Sequence, residues 1–278
     1  MSRTRGACGS FGVLLLAALL ACGSSSSGGT PADGGGGGDG GGSSSGSASS
    51  GGGSGGSSSS GGGVPEGGGG TTYGAMHSGQ YNLGPVEWTG SYPNACAPYP
   101  APVEMEEGAY LAGVDNSVGA DGGMCDVCIL VTTAKGKSLV ARVITYGDSN
   151  SPGDIDLSQA AYRALFQGEY PRTMSWQQTK CPDTGKVQYQ YQTAANPDWT
   201  SLWVRNARLP VTNVEVTSAN HSTWFALTRG TDGTWTDGGG FGSGPFSLRV
   251  TAVDGQQVTD MFSAFSAGAL VDSAMQFQ

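Results

Sequence analysis

Between Gly23 and about Thr72 the chain is almost entirely glycine and serine, with no aromatic residue and hardly any branched aliphatic one. Such a stretch cannot bury enough apolar surface to offset its ordering entropy, so it is read as a disordered tether. Whatever folds must come after it. Gly/Ser coil of this length, about 50 residues, spans roughly 40 Å root-mean-square, enough to hold a folded head away from a surface. The remainder, from about Tyr73 to Gln278, is about 200 residues, which suits one large or two small domains; two is the expectation.

The first residues read as an export signal. Arg3 and Arg5 precede an apolar run from Phe11 to Leu20 that is too short for a stable transmembrane helix. The run ends on Leu19-Leu20-Ala21-Cys22, which resembles a bacterial lipobox, so Cys22 is expected to become a diacylated N-terminus. Gly23 follows in place of an aspartate, which resembles lipoproteins sent past the inner membrane, to the outer membrane or cell surface of a Gram-negative cell. Loss of Arg3 and Arg5 leaves 11 basic against 22 acidic residues, a net charge of -11 instead of -9. So acidic a surface repels nucleic acid, anionic lipid and anionic wall polymers, and a neutral polymer is the compatible partner.

Of six cysteines, Cys8 lies in the leader and Cys22 is assigned to lipid, leaving Cys96, Cys125, Cys128 and Cys181. An even number in an exported chain implies two disulfides, with connectivity left open by the spacing. The Cys125-x-x-Cys128 spacing is also that of half a zinc site or a redox motif. No second such pair exists, the only histidines are His77 and His221, and no helical pattern follows, so both readings are set aside. No cofactor or metal is expected.

After residue 80, short β-branched and aromatic runs recur between turn residues: Ile129 to Thr133, Ser138 to Thr145, Lys186 to Gln192, Ser201 to Val204, Val211 to Thr217, Thr223 to Thr228, Phe246 to Ala252 and Gln257 to Met261. The fold class is all-β. One helix is expected over Ser158 to Phe166 with Ser158 as N-cap, and a domain junction near Cys181-Pro182-Asp183-Thr184-Gly185.

Several stretches, in order along the head, resemble bacterial expansins. They are Trp88-Thr89-Gly90-Ser91; Gly153-Asp154-Ile155-Asp156-Leu157-Ser158 followed by Ala161 and Tyr162; Trp176 with Pro182 and Gly185; Trp199 with Val204-Arg205-Asn206 and Pro210; and Ser247-Leu248-Arg249-Val250-Thr251 with Asp254-Gly255. The resemblance implies a six-stranded double-psi β-barrel over 78–182 and an immunoglobulin-like β-sandwich over 183–278, similar to family 63 carbohydrate-binding modules, after a leader at 1–22 and a linker at 23–77. It implies non-hydrolytic loosening of cellulose or a related β-glucan by an extracellular monomer that meets membrane only through its lipid anchor.

The resemblance also implies site residues. Asp156 stands where the family keeps its one required carboxylate, with Thr89 as groove partner. Burial at such a position raises a carboxyl pKa and lets it donate a proton or hydrogen bond to a glycosidic oxygen. Glu87 replaces the usual Thr and admits a second carboxylate, the arrangement an inverting glycosidase needs. The family's Asp and Tyr upstream of Asp156 fall, without a gap, on Thr145 and Gly147; a one-residue slip instead brings Tyr146 and Asp148 into the groove, and these two are carried as candidates.

In the second domain, Trp199 and Trp203 alternate with Leu202 and Val204, which are natural core residues, so the two rings are expected to face outward roughly 13 Å apart. A third platform ring is expected from Trp235 or Phe241, with Trp224 in the core and Trp88 adding to the surface. The alternatives are a glycan-cleaving enzyme using Asp156, either a family 45-type endoglucanase or a lytic transglycosylase like rare lipoprotein A, and an inert-barrelled cellulose adhesin. Against a peptidoglycan enzyme stands the acidic charge.

Overall fold

The structure is a computed structural model describing residues 70–85, 94–99, 110–148 and 151–278, all within one compact unit spanning 62–278. The expected leader, the lipobox at Cys22, most of the tether, and Glu87, Trp88 and Thr89 lie outside the described residues. No helix among the described residues is long and apolar enough to cross a membrane.

The described chain is all-β, as expected, in two layers of organisation. The first half forms β1 (Thr72–Leu83), β2 (Leu111–Asp115), a single turn α1 (Asn116–Gly119), β3 (Cys128–Thr133), β4 (Ser138–Gly147), β5 (Ile155–Leu157), α2 (Gln159–Leu165) and β6 (Thr173–Thr179). Its six strands close into a barrel in the order β1-β5-β2-β4-β3-β6, with β1 parallel to β5 and β2 parallel to β4. β1 starts at Thr72 and pairs with β6 from there, so the barrel begins inside the segment assigned to the linker up to 77. The reason is visible in the pairing. β1 has a Gly-containing first half with no apolar alternation, and its ladder to β6 is interrupted between Tyr73 and His77. Ser158 does cap α2, accepting the Ala161 N–H, an interaction of about 1 kcal/mol. Buried Tyr81, Val114, Ile129, Val131, Val143, Leu157 and Trp176 fill the barrel.

The second half forms β7 (Gln188–Tyr191), β8 (Thr200–Arg205), β9 (Val211–Thr217), β10 (Phe225–Ala226), β11 (Thr228–Arg229), β12 (Trp235–Asp237), β13 (Phe246–Ala252), β14 (Gln257–Phe262) and β15 (Leu270–Asp272). They make a four-stranded sheet, β10-β9-β13-β14, facing a five-stranded sheet, β11-β12-β8-β7-β15. The strand expected over Thr223 to Thr228 is in fact two short ones that belong to different sheets, with buried Leu227 between them as the crossing point. β13 shows the alternation of a strand with one wet face, its odd positions outward and Phe246, Leu248, Val250 and Ala252 in the core. β8 does not: all six of its residues are buried. A strand buried on both faces has something covering the side opposite its core.

That cover is the barrel. Leu202 and Val204 point into the sandwich core, while Arg205, on the other face, reaches barrel residues. Its guanidinium pairs with Asp126, donates from Nη2 to the carbonyl oxygens of Cys96 (3.0 Å) and Pro98 (2.8 Å), donates from Nε to Gln190 (2.9 Å), and lies over the Tyr99 ring. Arg205 is 0 % exposed. Two glycines permit the backbone approach beside it. A Cβ on Gly122 would collide with the Gly230 carbonyl oxygen, and one on Gly233 with the Cys125 side chain; both have positive φ.

The four head cysteines form two disulfides, Cys96–Cys125 and Cys128–Cys181. The members of the Cys-x-x-Cys pair therefore go to different partners. Cys128, Cys181 and Asp183 lie close enough to suggest a metal site, but the thiols are spent on each other and Asp183 pairs with Arg142.

Candidate functional site

Asp156 is the middle residue of β5, flanked by buried Ile155 and Leu157. Because side chains alternate along a strand, those neighbours enter the barrel core and Asp156 is turned to the outer face. There it is half-buried. Desolvation raises its carboxyl pKa above the usual carboxylate range, and the charge of Asp154 pushes in the same direction. Asp154 itself is buried and accepts the Gln80 N–H at 2.7 Å. Gly153 has no side chain because one would run into the Ser78 carbonyl; that close contact seats Asp154 against β1.

The register names the neighbours of Asp156. Asn82 is beside it on β1 and Gly113 on β2, and Gly113 in turn pairs with Thr145 on β4. Gly113 carries no side chain, so β2 itself places nothing between Asp156 and Thr145, whose Oγ1 accepts the Ala95 N–H at 3.1 Å. Asn82 accepts a hydrogen bond from Arg172 Nη2 at 3.0 Å, and Arg172 Nη1 donates to the Tyr162 hydroxyl at 3.0 Å. Thr145 is the ungapped position read from the sequence; Asn82 and Arg172 were not singled out there, Asn82 being set by strand pairing and Arg172 by its bond to Asn82.

Tyr146 and Asp148 are not placed with Asp156. Tyr146 pairs with Val114, a core position, and packs against the barrel core, while its hydroxyl donates to the Thr231 carbonyl of the sandwich at 3.0 Å. Asp148 accepts from the Asn116 side chain at 2.7 Å. The residue on the Asp156 face is Thr145, the ungapped position, so the one-residue slip is corrected. The physical reason is the bulge between Ala112 and Gly113, which sets the register of β4 beyond it.

The tryptophans also redistribute. Alternation puts Trp199 and Trp203 on one face, as the spacing implies, but that face is the one the barrel covers. Trp203 is 5 % exposed, with its Nε1–H on the Asp232 carbonyl (3.0 Å) and Arg205 against its ring. Trp235 is 6 % exposed and belongs to the sandwich core: it pairs with Leu202, whose side is inward, and Arg229 stacks over it. Phe241 is wholly buried. Three of the expected platform rings, Trp203, Trp235 and Phe241, are thus enclosed, while Trp199 is half-buried just before β8 and outside the core. Trp224, expected in the core, is half-buried on the surface.

Fold and site together define a class: a two-domain β protein, stabilised by disulfides that suit an oxidising compartment, with one desolvated carboxylate on a barrel face and one indole at the end of a sandwich strand. No protein-family model matches the chain. Over 176 residues, 60% of this chain and 72% of the relative, it is 24% identical to expansin-like protein 5 of Dictyostelium discoideum. Its fold superposes on the apo expansin of Clavibacter michiganensis with a TM-score of 0.63 at 21% identity, covering 73% of this chain and 98% of that one. A mutant of that expansin, crystallised in complex with cellohexaose, gives a TM-score of 0.62 at 20% identity over the same shares. The chain resembles expansin-like proteins in sequence and has the fold of a bacterial expansin, barrel and sandwich together.

The raised pKa of Asp156 gives a prediction with a defined sign. An acid whose folded pKa is raised contributes stability that is complete below its unfolded value, 3.8, and lost as pH rises through the folded one. Asp156→Asn removes the charge, so at neutral pH it is expected to raise the melting temperature slightly, with the gain vanishing as pH falls below that window. A variant less stable than the parent at pH 7 would show instead that the carboxylate is held by favourable contacts.

Proposed function

We propose that this protein binds cellulose or a related neutral β-glucan and loosens the non-covalent contacts between its chains without hydrolysing them. The observation that carries the reading is the expansin fold over both domains, an Asp156-bearing barrel held through Arg205 to a sandwich that carries Trp199. Trp199 supplies a flat apolar ring for the C–H face of a sugar. Asp156, a half-buried carboxyl whose pKa is raised by desolvation, supplies a hydrogen bond that competes with one made between glucan chains. The neighbouring carboxylate, Asp154, is buried and bonded to backbone, which supports the non-hydrolytic reading over a glycosidase with a free acid and base. The chain acts as an extracellular monomer, anchored by lipid at Cys22 to the outer membrane where the cell has one.

The test is filter paper. The protein is expected to lower its tensile strength without releasing reducing sugar, and Asp156→Asn to abolish the weakening while leaving cellulose pull-down intact. Reducing-sugar or anhydromuropeptide release that disappears in Asp156→Asn would establish the enzyme instead. Trp199→Ala is expected to weaken pull-down by about tenfold, equivalent to ~1.4 kcal/mol, with unchanged far-ultraviolet circular dichroism. Undiminished binding would remove Trp199 from the site.

A further inference from the structure

The sandwich has a second aromatic surface, on the side away from the barrel. On the outer face of the four-stranded sheet, Arg249 holds Glu215 across the strands through two hydrogen bonds, Nε to Oε2 at 2.7 Å and Nη2 to Oε1 at 2.8 Å. The guanidinium carbon then lies 4.3 Å from the centre of the Trp224 ring. One face of the indole is thus covered by a fixed planar group, and the half-buried ring turns its remaining surface to solvent. Phe225 pairs with Val216, so one place along that register Trp224 falls beside Thr217. Thr217 borders an open groove of about 330 Å³.

The groove has a consistent chemistry. Its walls carry the hydroxyls of Thr217, Ser218, Ser222 and Ser247 and the apolar surfaces of Pro245 and Met261, the last 82 % exposed. His221 also lines it, stacked flat on Phe225 at 4.1 Å and hydrogen-bonded through Nε2 to Asp237 at 2.6 Å. Arg249 is paired with Glu215, and the buried Asp237 carboxylate is hydrogen-bonded to His221. The groove's own lining holds no lysine, arginine, aspartate or glutamate to select an ion. Hydroxyls beside an aromatic and a thioether suit a neutral, hydroxyl-rich ring with apolar C–H faces. The volume lies at the lower end of the ~300–1,000 Å³ of small-ligand sites, a size for one or two sugar units and too small for a folded partner.

We infer that the outer face of the four-stranded sheet is a second, independent binding site for a neutral glycan, built on Trp224 and the hydroxyl-lined groove beside Thr217 and Ser247. It lies across the sandwich from Trp199, so the domain has two glycan-binding faces back to back. Such a domain bridges neighbouring chains of a polymer, and weak contacts at both faces add through effective concentration. The choice of a glucan as ligand rests on the proposed function; the site's location does not.

The experiment uses cellohexaose as probe on full-length Trp199→Ala protein, read by backbone amide chemical shifts. Saturable shifts at Thr217, Ser218 and Ser247 are expected. Ser247→Arg, which fills the groove from an outward strand position, is expected to weaken this binding at least tenfold, as is Trp224→Ala, and the former keeps the test valid if the latter perturbs folding. Absence of shifts on this face overturns the inference. So do shifts that appear without sugar as protein concentration rises, with dimer detected by sedimentation, since the groove would then seat a second copy. Shifts here together with failed Trp199-dependent pull-down would sink the first site and leave this one standing.

Discussion

Reduction of both disulfides is expected to lower the unfolding free energy by about 7.5 kcal/mol, enough to leave the head unfolded or barely folded at 37 °C. Cys96–Cys125 closes a loop of sequence separation 29 and Cys128–Cys181 one of 53. The chain-entropy relation assigns these about 3.5 and about 4 kcal/mol at 25 °C. Small domains hold ~5–15 kcal/mol in total, so the sum is a large share of what is there. The two loops follow one another along the chain instead of nesting, so their contributions should be close to additive. Urea unfolding of the oxidised protein, of a Cys96→Ser/Cys125→Ser pair, of a Cys128→Ser/Cys181→Ser pair and of all four replacements measures each step. A fully reduced protein within about 1 kcal/mol of the oxidised one would mean that the reduced chain keeps the same constraints by packing alone, contrary to the entropic account.

Much of the fold was legible because alternation reports one-sided burial. β9 and β13 match the runs read from sequence residue for residue, and α2 with its Ser158 cap was recoverable from local chemistry. β1 was missed in part because its first half, Thr72 to His77, shows no period-two alternation and its ladder to β6 is interrupted. β2 is buried along its whole length and has no alternation to read. The site fared less evenly. Asp156 was found through its motif and does stand on the outer barrel face, but Thr145 and Asn82 become its neighbours only through pairing across β2 and β1.

The tryptophans show the sharper limit. Period-two alternation correctly put Trp199 and Trp203 on the face opposite Leu202 and Val204. It carries no information on what covers that face, and Arg205, two residues on, is the reason the barrel does. Trp235 and Trp224 exchange roles for the same kind of reason: β12 pairs with β8 so that Trp235 is set beside inward Leu202, whereas the sheet switch at Leu227 leaves Trp224 outside.

Arg205→Met is expected to cost about 3–5 kcal/mol and to separate the two domains' behaviour. The side chain is fully enclosed, and its removal takes the donor from the Cys96 and Pro98 carbonyls and leaves the Asp126 carboxylate with Arg142, 3.9 Å away. Breaking a buried ion pair from one side carries a penalty of this size because the remaining charge stays desolvated. Asp126 sits between Cys125 and Cys128 at φ 66°, a left-handed conformation that Asp tolerates better than most residues. The Cys-x-x-Cys segment is thus a clamp: each cysteine is tied to a different part of the barrel, and the residue between them is presented to the sandwich.

If that is its purpose, Asp126→Asn in the Arg205→Met background should recover part of the loss, with a coupling of ~0.5–3 kcal/mol between the two positions; effects that simply add within ~0.5 kcal/mol would show that they do not act as a pair. The functional consequence is separable from stability. Trp199 immediately precedes the strand that ends in Arg205, and Asp156 is on the barrel that Arg205 grips. At low temperature, where the Met variant is still folded, cellulose pull-down through Trp199 should persist while filter-paper weakening falls, and unfolding should split into two transitions with faster proteolysis at 182–186. Weakening that survives a demonstrably uncoupled interface would mean that the barrel loosens glucan without being held to the domain that binds it.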